Sequence, residues 1–175
     1  RGTVGVTVDD PMGLMKASGA AKGAISENAV TSQGLPTYGT QVLMNVINEL
    51  GALPTRNATE VQFEGASLIS GEAMTEPRKS DGEANLVSNH ACFGCPISCG
   101  RQSKIDPEHF TVKGKSQYQI VSGGLEYENA WGLGVATGVS DLEALTFANF
   151  LCNEQGLDPI TCGSTIGAAM ELYAM

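Results

Sequence analysis

The segment His90-Ala91-Cys92-Phe93-Gly94-Cys95-Pro96-Ile97-Ser98-Cys99-Gly100 gathers thiols in the pattern C-x2-C-x3-C. Sulfur ligands this close in a chain can converge on one inorganic core. Gly94 and Gly100 free the backbone to wrap around it, and Pro96 stiffens the turn after the second thiol. Three thiolates fall short of a closed zinc site, which takes four protein ligands. An iron-sulfur cubane also takes four, but its last cysteine can come from a distant part of the sequence. Zinc would need His90 or a distal cysteine to complete it, and three inert buried thiols are a further alternative. The spacing favours an iron-sulfur site with Cys92, Cys95 and Cys99 as ligands. Cys152 and Cys162 lie far downstream, in segments whose helical pattern accounts for them as core thiols.

The composition limits the setting for such a site. The chain has 175 residues, 10 of them basic and 19 acidic, for a net charge of −9. That length suits one domain or a slice of a larger one. Hydrophobic residues make up 42% of the chain, close to the globular norm, which argues against a disordered tail. The acidic balance and the lack of a basic cluster argue against nucleic acid and against an anionic membrane surface. No apolar run approaches the ~20 residues of a membrane span. Five unevenly placed cysteines do not look like a secreted disulfide framework. Clustered thiols without a secretion signal point to metal binding in a reducing cytoplasm. The chain opens at Arg1 in an extended-looking run to Val8 and closes at Met175 inside a helical pattern. Both ends read as cut, so an internal piece of a longer polypeptide is expected.

The elements that must position the thiols are mainly helical. Asp9-Asp10-Pro11 reads as a helix start, with the helix fading near Gly19 and Gly23. Residues 26 to 40 have loop composition. Thr40 is a candidate N-cap for a helix whose apolar face is Val42, Leu43, Val46, Ile47 and Leu50, closed by Gly51 and Pro54. Leu68-Ile69 suits a short helix, and 77 to 82 a charged loop. A hairpin is expected between Phe110-Thr-Val-Lys113 and Tyr118-Gln-Ile-Val121. Ser140-Asp-Leu-Glu143 reads as a capping box. It opens a helix with Leu142, Leu145, Ala148, Asn149 and Cys152 on one face and Gly156 at its end. A last helix is expected from about Thr161 to Tyr173. The expected fold class is mainly α: an irregular multi-helical domain with short extended segments.

Five segments in order carry a resemblance. They are Tyr38-Gly39-Thr40; Asn48-Glu-Leu-Gly-Ala-Leu-Pro-Thr-Arg-Asn57; Ala91-Cys92 through Cys95-Pro96-Ile97 to Cys99-Gly100-Arg101; Leu125-Glu-Tyr-Glu128; and Asn153 followed by Gly156-Leu157-Asp158. The order x2 then x3 is similar to the amino-terminal cluster motif of large molybdopterin oxidoreductases. Together, the five segments resemble the tungsten-dependent aldehyde ferredoxin oxidoreductases over essentially the whole chain.

The resemblance implies a longer, three-domain enzyme in which residues 1–175 form most of the cluster-bearing, helical second domain. It implies oxidation of aldehydes to carboxylic acids at a tungsten-bispterin centre, with electrons passing through a [4Fe-4S] cluster to ferredoxin. Cys92, Cys95 and Cys99 would be three cluster ligands, with the fourth in another domain of the parent chain. Glu126 and Glu128 would place a carboxylate near the metal for proton or water handling. Two apart in an extended segment, they would face one side, and Glu128 is the preferred one. Asn153, Gly156, Leu157 and Asp158 match the family's pterin-contacting D-x-x-G-L-D/C segment, with an uncharged amide in the first position. Arg56 would contact a substrate carboxylate or a neighbouring domain, or remain solvated. Neither His90 nor His109 fits the E-x-x-H pair by which some members hold an interfacial metal, so none is expected here. The fragment alone is expected to be inactive. A self-contained iron-sulfur electron carrier or structural metal-binding module is the alternative; it would need Cys152 or Cys162 as a ligand.

Overall fold

The computed structural model describes residues 5–175, apart from the side chain of Ser122. The expected extended run at the start lies partly outside those residues, and 5–8 join no strand. The α-helices are α1 (Pro11–Glu27), α2 (Leu35–Tyr38), α3 (Leu43–Glu49), α4 (Gly71–Thr75), α5 (Tyr127–Leu133), α6 (Leu142–Gln155) and α7 (Pro159–Ala174). The strands β1 (Leu86–His90), β2 (Gly100–Lys104) and β3 (Ile120–Ser122) form a three-stranded antiparallel sheet in the order β1-β2-β3. The fold is mainly α.

Several boundaries differ from the sequence reading. Asp10 caps α1 through the Gly13 amide at 2.9 Å. The helix then runs past Gly19 and Gly23 to Glu27, because isolated glycines weaken a helix without ending it. Residues 26–40 are helical, not loop. A π-helical turn at Val30–Gly34 leads into α2, and a 3-10 turn follows at Gly39–Val42.

Helix α3 is rotated from the expected face. Gln41 and Met44 are buried, whereas Val46 and Leu50 are 52% and 74% exposed. Thr40 caps nothing. Gly51, with φ 65°, ends the helix as expected. The capping box also fails in detail. Asp141, not Ser140, caps α6 through the Ala144 amide. Glu143 turns inward, accepting from the Asp106 amide at 3.1 Å and from Arg78 at 3.2 Å.

The hairpin expected over residues 110–121 does not form. Turns and a short 3-10 helix (Ser116–Tyr118) fill that stretch, and its end pairs as β3 with β2. The real hairpin is β1-β2, and its loop is the cysteine segment.

The main core packs Met44, Leu53, Phe63, Ile69, Met74, Leu125 and Leu145 between the helices. A smaller cluster of Ile105, Val112 and Val121 lies under Phe147 and Phe150 of α6. Helices α5 and α7 cross at glycines: a Cβ on Gly163 would overlap the Gly132 carbonyl. Among the described residues, no helix is long and apolar enough to cross a membrane.

Candidate metal centre

The β1-β2 hairpin carries all three clustered thiols on the loop between His90 and Gly100, which are paired across the strands. Gly94 (φ 74°) and Ser98 (φ 59°) turn the loop through the left-handed region. Cys95 donates its amide to the Cys92 carbonyl at 3.0 Å. The Ile97 amide points at the Cys95 sulfur at 3.5 Å. Such N–H to sulfur contacts are the ones that stabilise thiolates.

Cys92 is exposed, while Cys95 and Cys99 are half-buried. Burial pushes the Cys99 thiol up, and the charges of Glu126, Cys95 and Cys92 add to it. Mutual repulsion among the thiolates is the electrostatic load that a bound cation relieves. Among the described residues, no group of three or more His, Cys, Asp or Glu side chains is drawn together closely enough to hold a metal ion.

The Glu-Tyr-Glu segment is not extended throughout. Glu126 keeps extended backbone angles, but the helix starts at Tyr127, so Glu128 sits in the first turn of α5. The two carboxylates therefore do not share a face. Glu126 is half-buried and accepts from Thr40 Oγ1 at 2.5 Å. The Tyr127 amide donates to the same Thr40 oxygen at 2.9 Å. Thr40 is thus a relay that fixes the Glu126 carboxylate. Glu128 is exposed, and its charge, after burial, raises the Tyr127 hydroxyl pKa. Of the two glutamates, Glu126 is the one whose charge helps to raise the Cys99 thiol pKa.

Arg101 lies on β2 two residues after Cys99 and is 2% exposed. Its Nη1 donates to Asn89 Oδ1 at 2.5 Å and to the Thr37 carbonyl at 3.2 Å. Burial lowers its pKa, opposed by Glu126 and Cys99. Sequence reasoning gave Arg101 no role. Its position directly after the cysteine motif was the available signal.

The Asn153 to Asp158 segment is exposed. A Cβ built on Gly123 would lie 2.7 Å from Asn153 Nδ2. Asn149, one turn earlier on α6, donates to the Gly123 carbonyl at 3.0 Å and also to that of Gly124. Gly124 in turn packs on Arg101. This contact chain links the end of α6 to the cysteine hairpin. Gly156 takes the left-handed conformation (φ 69°) that ends α6. Asp158 caps α7, accepting from the Thr161 amide at 3.1 Å and its hydroxyl at 2.8 Å. Leu157 is exposed beside it. Cys152 is buried with Cys162 packed against its cluster, as core thiols should be.

Arg56 is apart from this group. It pairs with Glu60 at 3.1 Å and with Glu64, and it begins three consecutive left-handed residues, Arg56, Asn57 and Ala58. The Trp131 indole anchors that turn by donating to the Pro54 carbonyl at 2.7 Å. His90 lies exposed at the end of β1, and His109 bonds Asp141 at 3.1 Å and Thr111 at 2.8 Å.

Residues 16–175 match the family model described as aldehyde ferredoxin oxidoreductase, domains 2 and 3. A tungsten-containing aldehyde ferredoxin oxidoreductase of Thermococcus kodakarensis is 43% identical over 149 residues, covering 85% of this chain and 22% of that protein. The Pyrococcus abyssi protein of the same name is 40% identical over the same share. A Pyrococcus furiosus protein named as an aliphatic sulfonate oxidoreductase, WOR-like subunit, is 31% identical over 83 residues, 47% of this chain and 12% of its own. The chain thus spans about a fifth of the length of the aldehyde ferredoxin oxidoreductases it matches. On the strength of the family match and these identities, the chain belongs to the aldehyde ferredoxin oxidoreductase family.

Proposed function

We propose that this chain is the cluster-bearing part, most of the second domain, of a three-domain cytoplasmic enzyme. The enzyme oxidises aldehydes to carboxylic acids and delivers electrons to ferredoxin. The observation that carries this reading is the β1-β2 hairpin that sets three thiols on one loop, in a chain that matches this family over residues 16–175. The names of the relatives supply tungsten, aldehyde and ferredoxin for those proteins.

The donor set fits a [4Fe-4S] cluster as three of its four ligands. Cys92, Cys95 and Cys99 are soft sulfur donors on one pinned loop, and the buried, incompletely bonded guanidinium of Arg101 stands behind them. The fourth ligand would come from the rest of the polypeptide. When bound, a tungsten-bispterin centre would accept the electron pair of the substrate and the cluster would pass it on one electron at a time.

The chain's own residues do the remaining work. Aldehyde and water give carboxylic acid, two protons and two electrons, so a proton acceptor is needed. Glu126 Oε2 is fixed by the Thr40 hydroxyl, which is itself held by the Tyr127 amide. A carboxylate oriented this way can take a proton at its free oxygen. Asn153 and Asp158 flank the exposed end of α6, where a pterin would be met; the Asn153 amide can accept or donate a hydrogen bond but brings no charge.

The test is metal content and EPR on the anaerobically prepared full-length enzyme. About four irons and matching labile sulfide, with tungsten, support the reading. Zinc in place of iron would sink it.

A further inference from the structure

Arg101 is buried without an ion-pair partner among the described residues. Its Nε and Nη2 protons are buried and meet no acceptor. Glu126 is the carboxylate whose charge acts on it. A buried guanidinium left in this state is expensive, and proteins keep one only where a counter-charge completes it.

The seat is shaped for it. A Cβ at Gly39 (φ 61°) would land on Nε and Nη2, and a Cβ at Gly124 (φ 25°) would overlap the Arg101 Cβ. Two glycines in the left-handed region therefore leave the room that the side chain fills. Nη1 is tied to Asn89 on the neighbouring strand and to Thr37, so the head group is fixed rather than mobile. The cysteine loop, closed where His90 pairs with Gly100, is the neighbouring segment that can gather negative charge. Metal-loaded thiolates carry such a charge, and the strand that bears Arg101 begins directly after Cys99.

We propose that Arg101 is a positioning residue for the iron-sulfur cluster: its fixed positive charge stabilises the reduced, more negative cluster and raises its reduction potential. This rests on the cluster reading above. The inference concerns how the potential is set, not whether iron is bound, so the two can fail separately.

The experiment is an EPR-monitored redox titration of the anaerobic full-length enzyme, with iron and labile sulfide measured on each sample. Wild type is compared with Arg101→Lys, Arg101→Gln and Asn89→Asp. Asn89→Asp keeps the arginine but sets a carboxylate on Nη1, cancelling its charge at the cluster. Arg101→Gln should lower the reduced-to-oxidised ratio about tenfold at a fixed potential, a shift of about 59 mV for one electron. Asn89→Asp should shift the same way, and Arg101→Lys by less. Iron-replete Arg101→Gln and Asn89→Asp that titrate with wild type would overturn the proposal. Should Arg101→Gln fail to load iron, Asn89→Asp decides by the same criterion. Wild-type enzyme without iron would overturn the cluster reading and this inference together. Wild-type enzyme with about four irons and unshifted variants would overturn this inference alone.

Discussion

Glu126 holds its place through a single hydroxyl, and that makes Thr40 and Glu126 a separable pair. Glu126→Gln should reduce kcat/KM of the full-length enzyme by about 10² to 10⁴, the range for losing a positioned proton acceptor, with iron content unchanged. Glu128→Gln, at an exposed position in the first turn of α5, should stay near wild type. The reverse order in steady-state assays would return the role to Glu128. Serine at Cys92, Cys95 or Cys99 should each lose iron. Serine at Cys152 should keep it and lower the melting temperature, since that thiol is buried in the main core. Loss of iron in Cys152→Ser would instead make it a ligand. The placement of the three thiols on one loop was legible in the sequence because only a few residues separate them. The choice between the glutamates was not. It depends on where a helix starts, and a boundary between Glu126 and Tyr127 turns a two-residue repeat from one face into two.

Glycine sets the closest approach between elements. At the α5-α7 crossing, Gly163→Ala adds a methyl group that would overlap the Gly132 carbonyl. Helix propensity would favour that alanine by about 1 kcal/mol. Overpacking opposes it by about 1 to 3 kcal/mol or more, because backbone and not a flexible side chain must yield. Denaturant unfolding should therefore show net destabilisation, whereas Gly156→Ala would test only the left-handed helix end.

Asp158 contributes at the start of α7. Its bonds to Thr161 hold its carboxyl below the usual aspartate range. A depressed folded-state pKa gives stability that is present above the unfolded pKa and lost as pH falls through the folded one. Thermal melts should then show a difference between wild type and Asp158→Asn that is constant near neutrality and shrinks below about pH 4. A difference independent of pH would assign the effect to packing.

The long helix α6 was legible because Leu142, Leu145 and Cys152 recur at the helical period, whereas α7 packs through Gly163 and Gly167 and leaves Ile166, Met170 and Leu172 outward. The hairpin was not legible, because β2 buries Arg101 and Ser103 and so inverts the usual pattern of polar residues outward. Helix α3 misled for the converse reason: Leu43, Val46 and the following Leu50 look outward, while Met44, with Gln41 in the preceding turn, looks in.

Outward apolar faces are a property of the whole molecule. Helix α1 has no buried residue, and Met12, Leu14 and Met15 are exposed along it. A groove of about 650 Å³ lies further along the chain, lined in part by Val30, Tyr38, Val42 and Val46. Isolated helices of this length are marginal in water. Hydrogen exchange in α1 should therefore be fast in this chain alone and slow in the full-length polypeptide; equal protection in both would show that α1 needs no cover. The hairpin is held differently, because β1 and β2 pair at His90 and Gly100, at the two ends of the cysteine loop. A site whose ligands are gathered by the metal is a folding event, and its loss unravels the protein. Here the ends of the cysteine loop are knotted by backbone pairing. Chelating any metal that this loop holds should therefore cost the cofactor before it costs the fold, because the pairing that closes the loop is made by backbone alone.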